Sequence, residues 1–119
     1  MVLMIVEDNH RMRGLIRCLL ADMAEAIFEC EDGDEVPAAF DLHHPDWVLM
    51  DVEMKRTDGF QATAQLLARH PEAKVIIVTE RTDTQARTAA SAAGACGFCG
   101  KDDLLGLRSL IQTDPFRAP

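Results

Sequence analysis

The stretch WVLMD at residues 47–51 decides the fold, because four apolar residues run directly into a carboxylate. The turn-forming pair Pro45-Asp46 precedes it. A short apolar run bounded by a turn indicates a strand that is buried on both faces of a parallel sheet. Asp51 is then the residue at which this strand leaves the sheet. Ligands of open parallel sheets bind at that end of the strands, so we expect Asp51 to have a function beyond capping a helix or shaping a turn.

Length and composition favour a single soluble domain. The chain has 119 residues, of which 48% are hydrophobic, enough for a core of its own. The formal net charge of −8 argues against a nucleic-acid-binding surface, which needs a basic patch. No stretch has the apolar length of a membrane span, and a first strand that begins at Val2 leaves no room for a signal peptide. We therefore expect a cytoplasmic protein that contacts neither nucleic acid nor a membrane.

The four cysteines are expected to be free thiols in such a chain. They are Cys18, Cys30, Cys96 and Cys99, and the last two have the C-x-x-C spacing that is typical of redox and zinc sites. On a strand, however, residues three apart point to opposite faces of the sheet. No second pair of ligands completes a zinc site either. The redox and zinc interpretations are therefore the less favoured ones.

Apolar runs and helical patterns alternate five times along the chain. Strands are predicted at 2–6, 26–30, 47–50, 74–79 and 97–100, and helical spacing of apolar residues follows each of them, near 12–20, 36–40, 60–69, 84–93 and 104–111. Either Asp8 or Asn9 would cap the first helix. Such alternation predicts an α/β fold with a doubly wound parallel sheet and right-handed crossovers. The fourth helix is almost all alanine on its apolar side, so we expect it to be loosely anchored, and the tail from about residue 114 to be loose.

Four of the five predicted strands end in a chemically functional side chain. These residues are Glu7 with Asp8, then Asp51, Thr79 and Lys101, and all would lie at one edge of the sheet. Three converging carboxylates repel one another, which Mg²⁺ relieves because it prefers oxygen ligands and is often shared between carboxylates and a phosphate. An ammonium and a hydroxyl also suit phosphoryl oxygens, and an Asp carboxylate can accept a phosphoryl group. The pattern predicts phosphoryl chemistry at this edge.

The sequence resembles the receiver domain of bacterial two-component response regulators over essentially its whole length. The resemblance rests on the five residues above together with Met54, Gly59 and the segment GACGFCGK at residues 94–101. It implies one receiver domain over 1–119 with the flavodoxin-like (βα)5 fold and strand order 2-1-3-4-5. That order makes the first and third strands neighbours, so their terminal carboxylates would meet.

The resemblance also implies a metal site and a phosphoacceptor. Asp51 would accept a phosphoryl group from the phosphohistidine of a sensor histidine kinase or a phosphotransfer protein. Asp8, with Glu7 behind it, would hold Mg²⁺ together with Asp51 and the backbone carbonyl of Glu53. The cofactor implied is therefore Mg²⁺.

The same resemblance implies which residues respond to the phosphoryl group. Thr79 and Lys101 would bind its oxygens, and Phe98 would turn inward into the space that the Thr79 hydroxyl leaves. The face formed by the fourth helix, fifth strand and fifth helix would then be remodelled, for a partner or for a homodimer. The loosely anchored fourth helix suits such an element with two states.

The chain departs from the family pattern at several positions around this site. Lys55 stands where the family usually has proline, so we expect a more mobile loop. Glu80 stands where a small residue is usual, and its carboxylate would crowd or repel a phosphodonor. Glu53 and Arg81 occupy positions that resemble those tuning the phosphoryl lifetime, and we expect their opposite charges to pair across the mouth of the site.

Three functions compete at this point. The leading one is a phosphorylation-controlled signalling switch, which catalyses no reaction other than its own phosphorylation and dephosphorylation. Such a receiver either stands alone or is part of a longer regulator. The pair Lys101-Asp102 slightly favours the longer regulator. The alternative is a protein-interaction or dimerisation module that works without phosphorylation, which Lys55 and Glu80 favour. The third is a phosphohydrolase with Asp51 as nucleophile, but Glu53 stands where a second Asp is usual and no cap for a substrate is present.

Overall fold

Five strands and five α-helices alternate in the computed structural model, which describes residues 1–113. The strands are β1 (Val2–Val6), β2 (Ala26–Cys30), β3 (Trp47–Met50), β4 (Val75–Thr79) and β5 (Gly97–Gly100). The helices are α1 (His10–Leu20), α2 (Val36–His43), α3 (Gly59–Arg69), α4 (Thr84–Ala93) and α5 (Leu104–Gln112). Short 3-10 turns at Ala21–Met23 and Gly33–Glu35 follow α1 and precede α2. The predicted loose tail lies outside the described residues.

The five strands form one parallel sheet in the order β2-β1-β3-β4-β5. This confirms the predicted flavodoxin-like fold. Leu3 of β1 pairs with Trp47 of β3, and Val6 pairs with Met50, so the two strands end side by side. The chain segments that follow them therefore leave the sheet at neighbouring points, which is where ligands of this architecture bind.

The core lies in two layers, one on each face of the sheet, because side chains alternate along every strand. On one face Val48 and Met50 pack with α2, α3 and α4, and on the other face Leu49 packs with α1 and α5. All four residues of β3 are buried, as the continuous apolar run predicts. Burial of one such side chain stabilises the fold by ~1.5–3 kcal/mol.

Side-chain caps start four of the helices. Asn9 accepts a hydrogen bond from the Met12 N–H at 2.9 Å, so Asn9 rather than Asp8 caps α1. Asp58, Asp83 and Asp103 cap α3, α4 and α5 in the same way. Each such cap is worth about 1 kcal/mol, and the choice of Asn9 leaves the Asp8 carboxylate available at the end of β1. No helix within residues 1–113 has the length and apolar character needed to cross a membrane.

Candidate functional site

Three carboxylates meet where β1 and β3 end. Glu7 and Asp8 follow β1, Asp51 follows β3, and one oxygen from each lies within 4.8 Å of the others. We call these three residues the acidic cluster. Glu7 is 1% exposed and Asp51 6% exposed, while Asp8 is the most accessible of the three. The structure thus brings together the carboxylates that the sequence placed at one sheet edge.

The ammonium of Lys101 enters the acidic cluster from the end of β5. Its Nζ lies 2.7 Å from Glu7 Oε1 and 3.0 Å from Asp51 Oδ1. Burial lowers the pKa of Lys101, but the hydrogen bonds and charges of Glu7 and Asp51 outweigh this and raise it, so Lys101 is a cation at neutral pH. One ammonium therefore faces three carboxylates.

The pKa of Glu7 is raised mainly because this carboxyl is buried beside Asp51. Burial, and then hydrogen bonding with Asp51, raise the pKa of Glu7 to about 8, although Lys101 opposes the shift. Without a further cation, Glu7 thus holds a proton at neutral pH. A set of hard carboxylate oxygens that lacks positive charge fits Mg²⁺, which binds through carboxylates and retained waters.

Thr79 closes another side of the site. It is the last residue of β4, it is 2% exposed, and its Oγ1 accepts a hydrogen bond from the Arg81 N–H at 3.0 Å. A cavity of about 180 Å³ lies between these groups, and Glu53 and Glu80 complete its wall. Both of these carboxylates are exposed.

The loop between β3 and α3 approaches Asp51 closely. The Val52 N–H donates to Asp51 Oδ1 at 2.9 Å, and the Gly59 N–H donates to the Val52 carbonyl at 2.8 Å. A Cβ at Gly59 would lie 1.8 Å from the Asp51 carbonyl oxygen, so only glycine fits there. The loop thereby places Glu53, whose carbonyl was assigned to the metal by resemblance, in the wall of the cavity.

A buried carboxylate that sequence reasoning missed holds the far part of this loop. Asp32 is 1% exposed and accepts hydrogen bonds from the Arg56 N–H at 2.8 Å and the Thr57 N–H at 3.0 Å. The Arg56 side chain in turn binds Asp34, with Nε 2.6 Å from Oδ2. The expectation of a mobile loop rested on Lys55 alone and did not include these contacts. No local sequence pattern signals these hydrogen bonds, because they form between two loops that meet only in the folded chain.

The predicted pairing of Glu53 with Arg81 is wrong. Among residues 1–113, the ion pair of Arg81 is with Asp83, at 3.9 Å, and none joins it to Glu53. Arg81 and Asp83 are two residues apart in the segment that leads into α4, so the local pair forms without spanning the cavity mouth. Both Glu53 and Glu80 therefore add negative charge to the cavity wall.

Phe98 lies partly buried on β5, against the core layer beneath α4. The guanidinium carbon of Arg87 on α4 lies 4.6 Å from the centre of its ring, a cation–π distance. Phe98 has no hydroxyl to hold it in place, and this contact supplies an attachment to α4 instead. The sequence places Phe98 on the strand, but the pairing with Arg87 depends on how α4 packs.

None of the four cysteines, all of which lie within residues 1–113, forms a disulfide. In the C-x-x-C segment, Cys96 precedes β5 and is exposed, whereas Cys99 lies on β5 and is buried. Burial raises the pKa of Cys99, so its thiol is neutral. The two sulfurs therefore differ in exposure, and among residues 1–113 neither belongs to a group of three or more metal-ligating side chains.

Comparison with known proteins places this geometry in one family. The model of the response regulator receiver domain matches residues 3–112. The chemotaxis protein CheY of Listeria monocytogenes is 40% identical over 76 residues, which are 63% of this chain and 64% of the relative. A protein-glutamate methylesterase/protein-glutamine glutaminase of Haloarcula marismortui is 35% identical over 83 residues, 69% of this chain but 22% of the relative. The chain thus spans less than two thirds of the length of either relative.

Solved structures share the fold. The crystal structure of a CheX–CheY–BeF3–Mg²⁺ complex from Borrelia burgdorferi contains a chain that superposes with a TM-score of 0.80 at 19% identity. The match covers 95% of this chain and 90% of that one. At this identity the likeness concerns the fold alone.

Proposed function

The chain belongs to the response regulator receiver domain family, and we propose on this premise that it is a phosphorylation-controlled signalling switch with Asp51 as phosphoacceptor. The observation that carries the proposal is the position of Asp51: it lies in the acidic cluster with the Lys101 ammonium 3.0 Å from its Oδ1. A sensor histidine kinase or a phosphotransfer protein is the proposed donor, and the cytoplasm the proposed location.

Asp51 is oriented for nucleophilic attack. Its Oδ1 receives the Val52 N–H at 2.9 Å as well as the Lys101 ammonium, so the carboxylate plane is fixed before a donor arrives. A bond forms between an Asp51 carboxylate oxygen and phosphorus, while the bond between phosphorus and the donor imidazole nitrogen breaks and that nitrogen keeps the electron pair. Preorganised positive groups of this kind stabilise charge that develops during transfer.

The acidic cluster is the proposed metal site. Asp8, Glu7 and Asp51 would hold Mg²⁺ together with the backbone carbonyl of Glu53. When bound, Mg²⁺ supplies the positive charge that phosphoryl oxygens beside three carboxylates require. The Borrelia burgdorferi CheY was crystallised in a complex that contains Mg²⁺ and BeF3, and this supports testing the same ligands here.

Thr79 and Phe98 are the proposed switch. After transfer, the Thr79 hydroxyl would give up the Arg81 N–H and turn to a phosphoryl oxygen, with Lys101 on another. Phe98 would move inward, away from Arg87, and the α4–β5–α5 face would change for a partner or a homodimer. Arg87 lies 4.6 Å from the Phe98 ring, so this motion exposes a cation on that face.

The proposal is tested by intact mass after incubation with Mg²⁺ and acetyl phosphate. We expect a gain of one phosphoryl group in the wild type and none in Asp51→Asn. The matched control is Asp41→Asn, since Asp41 is an exposed carboxylate of α2 outside the cavity, and it should phosphorylate like the wild type. NMR spectra with beryllofluoride and Mg²⁺ test the site independently of the donor.

The alternative is a protein-interaction module that works without phosphorylation. The exposed Glu80 in the cavity wall favours this alternative, because its carboxylate adds negative charge where a phosphodonor must enter. No mass gain and no spectral response to beryllofluoride would support this alternative. A response to beryllofluoride without a mass gain would instead indicate a competent site that small donors do not reach.

A further inference from the structure

A buried arginine outside the cavity binds the backbone of the acidic cluster. Arg13 of α1 is 8% exposed, and its Nη1 donates to the Glu7 carbonyl oxygen at 2.8 Å. Its Nε donates to Glu29 Oε1 on β2 at 2.7 Å, and its Nη2 lies 3.3 Å from His10 Nδ1. One rigid guanidinium thus joins α1, the end of β1 and β2.

Two other hydrogen bonds hold the residues on either side of the Glu7–Asp8 peptide unit. The Glu7 N–H donates to the Cys30 carbonyl at 3.0 Å, and the Asn9 N–H reaches Glu7 Oε2 at 3.3 Å. Arg13 holds the carbonyl of this peptide, and the adjoining Cα is that of Asp8. The Arg13 contact therefore lies directly at the peptide unit through which the chain passes from Glu7 to Asp8.

We propose that Arg13 is a positioning residue for metal binding: through the Glu7 carbonyl it fixes the Glu7–Asp8 peptide so that both carboxylates face one ion. The inference rests on the proposed function, since it concerns the same Mg²⁺ site. Groups that orient metal ligands without touching the metal typically change metal affinity by 10–100-fold. Arg13 is not among the residues that line the cavity, so its proposed effect on the ion is indirect.

Arg17 provides a matched control on the same helix. It also binds Glu29, with Nε 2.7 Å from Oε2, and its Nη2 donates to a backbone carbonyl, that of Ile27, at 3.0 Å. It does not contact Glu7. Loss of Arg17 therefore removes a comparable ion pair and backbone contact while the acidic cluster keeps its support.

The experiment compares Arg13→Gln, Arg17→Gln and the wild type by isothermal titration calorimetry with Mg²⁺ alone, at a temperature where all three are folded. Thermal unfolding without Mg²⁺ is measured beside it. We expect Arg13→Gln to bind Mg²⁺ about tenfold more weakly and Arg17→Gln to bind within about twofold of the wild type. Both variants are expected to lose thermal stability, so affinity rather than stability separates the two roles.

Equal Mg²⁺ affinity in both variants would overturn the inference and leave Arg13 as a purely structural residue. If Arg13→Gln does not fold, Arg13→Lys decides, because a lysine keeps the charge but lacks the rigid planar fork with which the guanidinium binds Glu7 and Glu29. We expect this variant to bind Mg²⁺ about threefold more weakly, less than the tenfold expected for Arg13→Gln, and unchanged affinity overturns the inference. Absence of saturable Mg²⁺ binding in the wild type would instead contradict the proposed function.

Discussion

At the scale of single residues, the charge of the cavity wall depends on Glu80 as well as on the acidic cluster. Counting Glu53 and Glu80, five carboxylates line the cavity, and Lys101 is the only cation among its lining residues. A single bound Mg²⁺ would still leave this wall with a net negative charge. Small phosphodonors are anions, so the mouth of the site repels them.

Glu80→Gln is therefore expected to raise the rate of phosphorylation by acetyl phosphate by roughly threefold to tenfold, because an exposed charge near a dianion costs about 1 kcal/mol. The gain should shrink as salt is added, since exposed charges are screened. Intact mass against time measures the rate, and Glu72→Gln is the control, an exposed carboxylate that precedes β4 outside the cavity. A gain that does not shrink with salt would contradict repulsion of the donor by an exposed charge, and no gain would contradict any role of the Glu80 charge in the rate.

The sequence predicts the chemistry of the site residues better than their supports. Asp51 and Lys101 stand out because a polar side chain directly follows an apolar run, a local signal. Arg13 and Asp32 give no such signal: each is a charged residue whose partners, such as Glu29 and Arg56, are many positions away and meet it only in the fold.

At the scale of elements, the loop between β3 and α3 is held by the loop that follows β2. Asp32 accepts both the Arg56 and Thr57 N–H groups. A Cβ at Gly33 would lie 3.3 Å from Thr57 Cβ in that loop and 2.8 Å from Ala62 Cβ on α3, so the loop after β2 packs tightly against both. This contact fixes the segment that presents the Glu53 carbonyl to the proposed metal.

We expect Asp32→Asn to lower the free energy of unfolding by about 1–3 kcal/mol at pH 7, because an amide cannot accept both N–H groups as a carboxylate does. Burial raises the pKa of Asp32, but the N–H groups of Arg56 and Thr57 outweigh it, so the net shift is downward. A lowered pKa stabilises the fold above the unfolded value of about 3.9, and this stability is lost as pH falls through the folded value.

Urea unfolding at pH 7 and at several values below pH 4 measures this contribution, which should be absent in the variant. Asp34→Asn is the control: Asp34 is exposed and pairs with the same Arg56, and loss of such an ion pair costs at most about 1 kcal/mol. If Asp32→Asn costs no more than Asp34→Asn, the buried carboxylate does not hold the loop.

Element positions were predictable where one physical signal dominates. The five strands are found within a residue of the predicted ranges, because buried parallel strands are continuous apolar runs. Side-chain contacts around α4 were not predictable in this way. The Arg81–Asp83 pair depends on the path of the segment that leads into α4, and the Arg87–Phe98 contact depends on how α4 packs on the sheet.

At the scale of the whole molecule, the strand order assembles the site. Placing β1 beside β3 at the centre of the sheet brings Glu7 and Asp8 to Asp51, residues more than 40 positions apart in the chain. Alternation of strands and helices predicts a parallel sheet, but this particular order came from the family resemblance. The result is a fold that concentrates negative charge in a molecule whose net charge is already −8.

Mg²⁺ should therefore stabilise the whole fold. The metal-free acidic cluster disfavours folding through repulsion, and an ion that binds only the folded state adds RT ln(1 + [L]/Kd), about 1.4 kcal/mol at ten times Kd. We expect the midpoint of thermal unfolding to rise by roughly 5 °C at that concentration. In Asp8→Asn the rise should disappear, while its stability without Mg²⁺ should equal or exceed that of the wild type, because one repelling charge is gone.

Differential scanning calorimetry in MgCl₂ and in NaCl of equal ionic strength separates site binding from screening. An equal rise in both salts, or in both proteins, would mean that Mg²⁺ acts on the general negative charge and not at the acidic cluster.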